Sequence, residues 1–224
     1  MSAVAHIKEY KTGRFFSDDY RGDMSWNGYE NNVLLRNDGC DADGVPQFTD
    51  VAMALGADDD RDARGMAIAD FDRDGDLDIV INHNPGDNDD LDRRGPTLLR
   101  NDLGNSRPWF TVDLVGTESN RDGVGAMVTL EATGHRQLRL ATAGSGYASQ
   151  SSSRLHFGLD AAEVVESLTV RWPSGKEEIY GPFEGRRSVR LTEGQGAELI
   201  DLTPSQRPLG GGVELEAEDR VGNA

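Results

Sequence analysis

The sequence predicts an all-β protein: one to one and a half propeller-type β-repeats, then an antiparallel β-sandwich or barrel, then a disordered acidic tail. Three observations carry that expectation. Helical periodicity is almost absent, and only "FTDVAMALGA" (48–57) offers a helical turn. The five-residue string "LLRND" occurs at 34–38 and again at 98–102, a spacing that suits blade-like β-repeats. After Asp102 short alternating runs follow one another between glycine-rich turns, the pattern of an antiparallel two-sheet fold.

In chain order, residues 1–27 read as an N-terminal arm. Residues 28–104 mix short apolar runs with acidic loops: "NNVLLRND", "GMAIAD", "LDIVI" and "PTLLRND". Residues 105–202 supply eight strand-like runs: "WFTVDLVG", "GAMVTLEAT", "RQLRLATAG", "RLHFGL", "SLTVRWP", "EEIYG", "RSVRLTEG" and "AELIDL". Phe110/Val112/Leu114, Leu155/Phe157/Leu159 and Leu168/Val170/Trp172 each alternate onto one face. Pro173 ends its strand because it cannot donate a ladder bond. Residues 203–224, rich in glycine and proline and then acidic, read as a disordered tail or an arm that orders on a partner.

Composition narrows the function classes. The 224 residues carry a formal charge of −17, with 40 acidic against 23 basic side chains. Nucleic acids and anionic membranes both require a positive footprint, so neither is the expected partner. Twenty-six of the acids are aspartates, which suit turns and oxygen-donating cation sites. An arginine-rich, acidic composition also fits a GC-rich or salt-adapted source. Cys40 is the only cysteine, so no internal disulfide forms and the redox compartment is undetermined. No apolar run approaches the roughly 20 residues of a membrane span, and the opening residues lack the apolar core of a secretory signal.

The sharpest local signal is "DFDRDGDLDIV" (70–80), with aspartates at 70, 72, 74, 76 and 78. It fits D-x-D-x-D-G-x-x-D. Asp70, Asp72 and Asp74 alternate, Gly75 permits the turn, Asp76 offers its backbone carbonyl and Asp78 closes the set. Such spacing converges oxygens on a hard cation of six to eight ligands. Position twelve is Ile81 rather than glutamate, and a strand follows, so the loop is not an EF-hand. Calcium (Ca2+) is the expected ion, because magnesium takes fewer protein ligands in a stricter octahedron. The clusters "ADDDRDARG" (57–65) and "GDNDDLD" (86–92) lack the full spacing, and solvated loops are the default there.

Enzyme signatures are weak. His6, His83, His135 and His156 are dispersed, and "AGSGYASQSSS" (143–153) lacks a Gly-x-Ser-x-Gly elbow. His156 alternates out of phase with Leu155 and Phe157, which suits a sheet surface. The expectation is a non-enzyme.

These motifs also carry a family resemblance. "AIADFDRDGDLDIVI", preceded by "FTDVA" and followed by "TLLRND", resembles the FG-GAP/VCBS calcium-loop repeat of integrin-α-type propellers. "GTESNRDGVGAMV", "AGSGYASQSS", "LHFGL" and "VRWPSG", in that order, are similar to the ASPIC/UnbV domain of the cartilage acidic protein family. "RGDMSWNGYENNVLLRND" resembles the segment before the last repeat in bacterial members, so Arg21-Gly22-Asp23 reads as family texture rather than an integrin ligand. The resemblance implies a calcium-binding protein of interaction or adhesion type, extracellular or periplasmic, with no characterised catalytic residues. It departs from complete members in repeat number, since about seven blades close a propeller, and in its missing signal. An open blade exposes sheet edges, so the chain is expected to serve a protein partner as an accessory subunit, with a larger assembly as one setting for it. The alternatives are a carbohydrate or small-molecule module and an auxiliary biosynthetic enzyme. Ligand-contacting candidates are Asn120 and Asp122 in "SNRDGVGA", with Tyr147 and Trp172; a structural turn and core packing are their competing roles.

Overall fold

A computed structural model describes residues 31–61, 63–83 and 95–201. The expected arm at 1–27, the RGD tripeptide, most of the 86–92 cluster's surroundings and the tail at 203–224 lie outside the described residues, as does the 86–92 cluster itself. The chain divides into two compact units. One comprises 1–68, 78–100 and 143–152; the other comprises 69–77, 101–142 and 153–224.

In the first unit, β1 (Leu35–Cys40) and β2 (Pro46–Asp50) form an antiparallel hairpin with a bulge between Asn37 and Gly39. Asp41 shapes its turn, accepting from the amides of Asp43 and Val45. A single helical turn, α1 (Ala52–Leu55), follows and stops at Gly56, whose φ of 67° is the left-handed conformation of a C-terminal cap. This is where the sequence offered its one helical turn. A three-stranded sheet is ordered β3 (Ala63–Ala69), β4 (Asp78–His83), β5 (Thr97–Leu99). Residues 143–152 run along β3: Ser152 donates its amide to the Ile68 carbonyl, and the Ile68 amide donates to the Ser151 hydroxyl. Gly65 lies beside this segment, where a Cβ would meet the Tyr147 carbonyl at an ordinary contact distance of 3.4 Å.

The second unit holds two four-stranded sheets. Its strands are β6 (Trp109–Val115), β7 (Met127–Ala132), β8 (His135–Leu140), β9 (Leu155–Gly158), β11 (Ser167–Arg171), β12 (Glu177–Tyr180), β14 (Arg187–Thr192) and β15 (Gly196–Ile200). A short pair, β10 (Val164–Val165) with β13 (Phe183–Glu184), supplements them. One sheet is ordered β12-β11-β7-β8 and the other β15-β14-β6-β9. All eight runs read from the sequence are strands.

The sequence pattern predicts antiparallel pairing throughout, and one ladder departs from it. β14 runs parallel to β6, with Val189 opposite Val112. Seven strands, β7 to β13, separate the two in sequence, a crossover long enough to bring the chain back in the same direction.

The core is assembled from the inner faces of these two sheets. Phe110, Val112, Phe157, Val189 and Leu191 come from one sheet; Val128, Leu130, Leu168 and Val170 come from the other, and all are fully enclosed. The period-2 alternation of the strands explains this division, because every second residue points inward. At one lip of the pair, Gln137 and Arg139 on β8 donate to the carbonyls of Gly158 and His156 on β9, and Arg139 lies over the Phe157 ring. Neither a propeller ring nor a closed barrel is formed by the described residues.

Candidate metal centre

The loop between β3 and β4 is held by its own carboxylates. Asp70 accepts from the amides of Asp74 and Gly75 at 3.1 and 3.2 Å, and Asp74 accepts from the amide of Asp76. The curl needs left-handed backbone at Arg73 (φ 65°) and Gly75 (φ 102°). Only glycine fits the second position, since a Cβ there would fall 1.9 Å from the indole nitrogen of Trp109.

Neighbouring segments of the second unit fix the middle of the loop. Asn105 donates its side-chain amide to Asp74 at 2.6 Å and its backbone amide to Asp76 at 3.1 Å. His156 donates from Nε2 to the Gly75 carbonyl at 2.9 Å, and its ring stacks on Trp109. Burial pushes the His156 ring below its ordinary pKa, partly opposed by that carbonyl. Gly104 lies against Asp76, where a Cβ would come within 2.7 Å of the aspartate Cβ.

Three of the five aspartates converge. Asp70, Asp72 and Asp78 each offer a carboxylate oxygen, all within 4.8 Å of one another. Asp78 is buried and the other two are partly buried. Burial pushes the Asp70 carboxyl above its ordinary pKa, and the nearby Asp74 charge pushes in the same direction. Like charges gathered in a partly desolvated loop repel, and a divalent cation reverses that energy. An all-oxygen donor set of this kind fits a hard cation. The cluster can therefore coordinate a metal. Asp74 turns one oxygen to Asn105 and Asp76 is buried against the 3-10 turn Gly104–Ser106.

Of the remaining sequence candidates, Asn120 and Asp122 share a turn beside the Trp172 ring. Asn120 clamps its own turn, with its amide donating to the Val124 carbonyl and its oxygen accepting the Val124 amide. Asp122 is exposed in the same turn. Tyr147 is 74% exposed on the 143–152 segment. Trp172 is 2% exposed and donates its indole N–H to Glu178 at 2.7 Å, so its ring is core.

Sequence reading missed the groups that brace this second unit. Glu193 is 1% exposed, yet it is a carboxylate. It accepts from the amides of Thr117, Glu118 and Ser119 and from the hydroxyls of Ser119 and Ser174. Burial pushes its pKa up, but these donors outweigh burial and hold it at about 2. Glu178 similarly takes Trp172, the Tyr180 hydroxyl and the Gly194 amide. Asn105 and His156 were also invisible as loop partners, because they lie 31 and 81 residues from the groups they hold.

The family described as ASPIC and UnbV matches residues 116–198. Cartilage acidic protein 1 of Mus musculus and of Xenopus tropicalis are each 33% identical over 113 residues, and that of Homo sapiens is 32% identical over the same length. The match covers 50% of this chain and 16% of each relative, so the chain spans only a small part of the proteins it resembles. The segment that carries Glu193, Glu178 and Trp172 is thus similar to the family described as ASPIC and UnbV, and the chain shows weak similarity to cartilage acidic protein 1.

Proposed function

We propose that this chain is a non-catalytic, calcium-stabilised β protein that serves as an interaction or accessory subunit for a protein partner. The observation that carries the proposal is an imbalance within the first unit. Among its described hydrophobic residues only Ala52, Ala57 and Ile81 are buried, whereas Val33, Leu35, Val45, Phe48, Met53 and Leu55 are exposed. Apolar surface on this scale marks interaction sites. The FG-GAP/VCBS reading supports the same conclusion, since propeller-type repeats bury such strands against neighbouring blades.

Calcium would be held by Asp70, Asp72 and Asp78, with Asp74 and Asp76 shaping the loop. The ion would neutralise the carboxylates and tie the ends of β3 and β4 together. Sites of this chemistry fill where calcium is abundant, which suits an extracellular or periplasmic setting. No described helix is long and apolar enough to cross a membrane.

The geometry at His83 argues against the enzyme alternative. Thr97 Oγ1 and Asp59 Oδ2 both approach its Nε2, at 2.8 and 3.5 Å. A catalytic triad instead divides hydroxyl and carboxylate between the two ring nitrogens.

The test is the mass of the native particle taken from its source with calcium present. A particle well above 24.4 kDa that contains a second polypeptide supports the reading. A lone chain of that mass overturns it.

A further inference from the structure

The 3-10 turn Gly104–Ser106 touches the aspartate loop, and its two ends are held by different residues. At its start, Asn101 Oδ1 accepts from the amides of Leu103 and Gly104 at 3.2 and 3.3 Å. Inside it, the Leu103 carbonyl accepts from the amide and hydroxyl of Ser106, and the Gly104 carbonyl accepts from the Arg107 amide. So short a turn leaves its last carbonyls without an internal donor. Arg186 supplies them. It donates from Nη1 to the Asn105 carbonyl at 2.6 Å and from Nη2 to the Ser106 carbonyl at 2.9 Å.

Arg186 stands 81 residues beyond Asn105, between β13 and β14. Its own amide donates to the Trp109 carbonyl at 2.7 Å. Its neighbour Arg187 pairs with Glu184, and Arg107 pairs with Asp160. Among the described residues Arg186 has no carboxylate partner, so its guanidinium is committed to the turn.

We propose that Arg186 is a positioning residue of the metal centre and acts through Asn105. Asn105 gives its side-chain amide to Asp74 and its backbone amide to Asp76. With those two carboxylates engaged outside the cluster, the curl of the loop brings together Asp70, Asp72 and Asp78. Without the clamp, the ion itself must order the loop, and that entropy is subtracted from its affinity. The proposal rests on the calcium reading and names residues that tune that site.

Two roles for a guanidinium near a cation site have opposite signs. Through space its charge repels calcium, so removing it would tighten binding. Through Asn105 its removal loosens the loop, so binding weakens. A residue that served the fold alone would lower the melting temperature equally with and without calcium, and the affinity would not move.

The experiment titrates calcium into the full chain by calorimetry, well below the melt, with circular dichroism to confirm folding. Arg186→Ala and Asn105→Ala are each expected to weaken calcium binding about tenfold. The double variant should be no weaker than Asn105→Ala, because both changes break one path. Arg186→Lys keeps the charge but loses the planar fork that spans two carbonyls, and should weaken binding about threefold. That variant carries the comparison should Arg186→Ala fail to fold. Arg187→Ala removes a neighbouring charge and should leave the affinity within about twofold. Unchanged or tighter binding in the Arg186 variants, or additive losses in the double variant, overturns the proposal and leaves the calcium site standing. A wild-type chain that takes up no calcium overturns the calcium reading, and the proposal with it.

Discussion

His156 Nε2 lies 2.9 Å from the carbonyl oxygen of Gly75, so a strand of the two-sheet core grips the turn of the aspartate loop. The grip positions the turn independently of any ion. What it cannot do is neutralise Asp70, Asp72 and Asp78, whose oxygens crowd within 4.8 Å. Folding supplies the shape of the loop, and a cation would supply the opposing charge.

Calcium is therefore expected to raise the melting temperature. Saturation at a hundred times the dissociation constant adds about 2.7 kcal/mol, roughly 5–10 °C for a chain of this size. Asp72→Asn and Asp78→Asn should each weaken calcium binding at least tenfold and abolish the shift. Differential scanning calorimetry with calcium and with chelator measures both, and an unchanged melt sinks the calcium assignment.

Gly75→Ala should destabilise the loop without removing any carboxylate. Its Cβ would enter the Trp109 indole, and its φ of 102° strains any other residue. A loss of about 2–4 kcal/mol is expected in urea denaturation. A neutral result would mean that the loop is not held against Trp109.

Glu193 and Asp70 should respond to acid in opposite ways. The folded protein holds Glu193 at about 2, below its ordinary 4.5, so the unfolded chain takes up the proton first. Its contribution is full above about pH 4.5 and is lost as pH falls toward 2. Asp70 is raised in the metal-free loop, so protonation relieves strain there, and acid should instead compete with calcium. Melting curves of wild type and Glu193→Gln between pH 2 and 6 separate the two effects. The variant should lose stability at neutral pH and show a flatter acid limb.

The two units should respond unequally to truncation of an aromatic ring. Phe157→Ala empties a fully enclosed position and is expected to cost about 3–5 kcal/mol. Phe48→Ser alters an exposed ring on β2 and should stay within about 0.5 kcal/mol for the isolated chain. Equal losses would show that Phe48 is buried in solution.

Much of the fold was legible locally. The eight longer strands of the second unit were legible as short strand-like runs, several of them by clean alternation, because a half-buried strand must repeat every two residues; the two-residue strands β10 and β13 were not. The left-handed turn at Gly75 was equally visible, since the spacing of the aspartates demands it. The parallel ladder of β6 with β14 was not, because strand direction depends on the path of the intervening chain. Nor was the direction of Asp74, which depends on Asn105 in a different segment.

By itself, the sequence determined the all-β character, the strand positions and a loop chemically suited to a hard cation. These are short-range properties, written in alternation, turn residues and carboxylate spacing. Only the tertiary structure decided which aspartates converge, that Trp172 is core, and that Glu193 is a buried hub whose charge is carried by distant donors. Such outcomes depend on which segments meet across long separations, and no local pattern encodes that meeting.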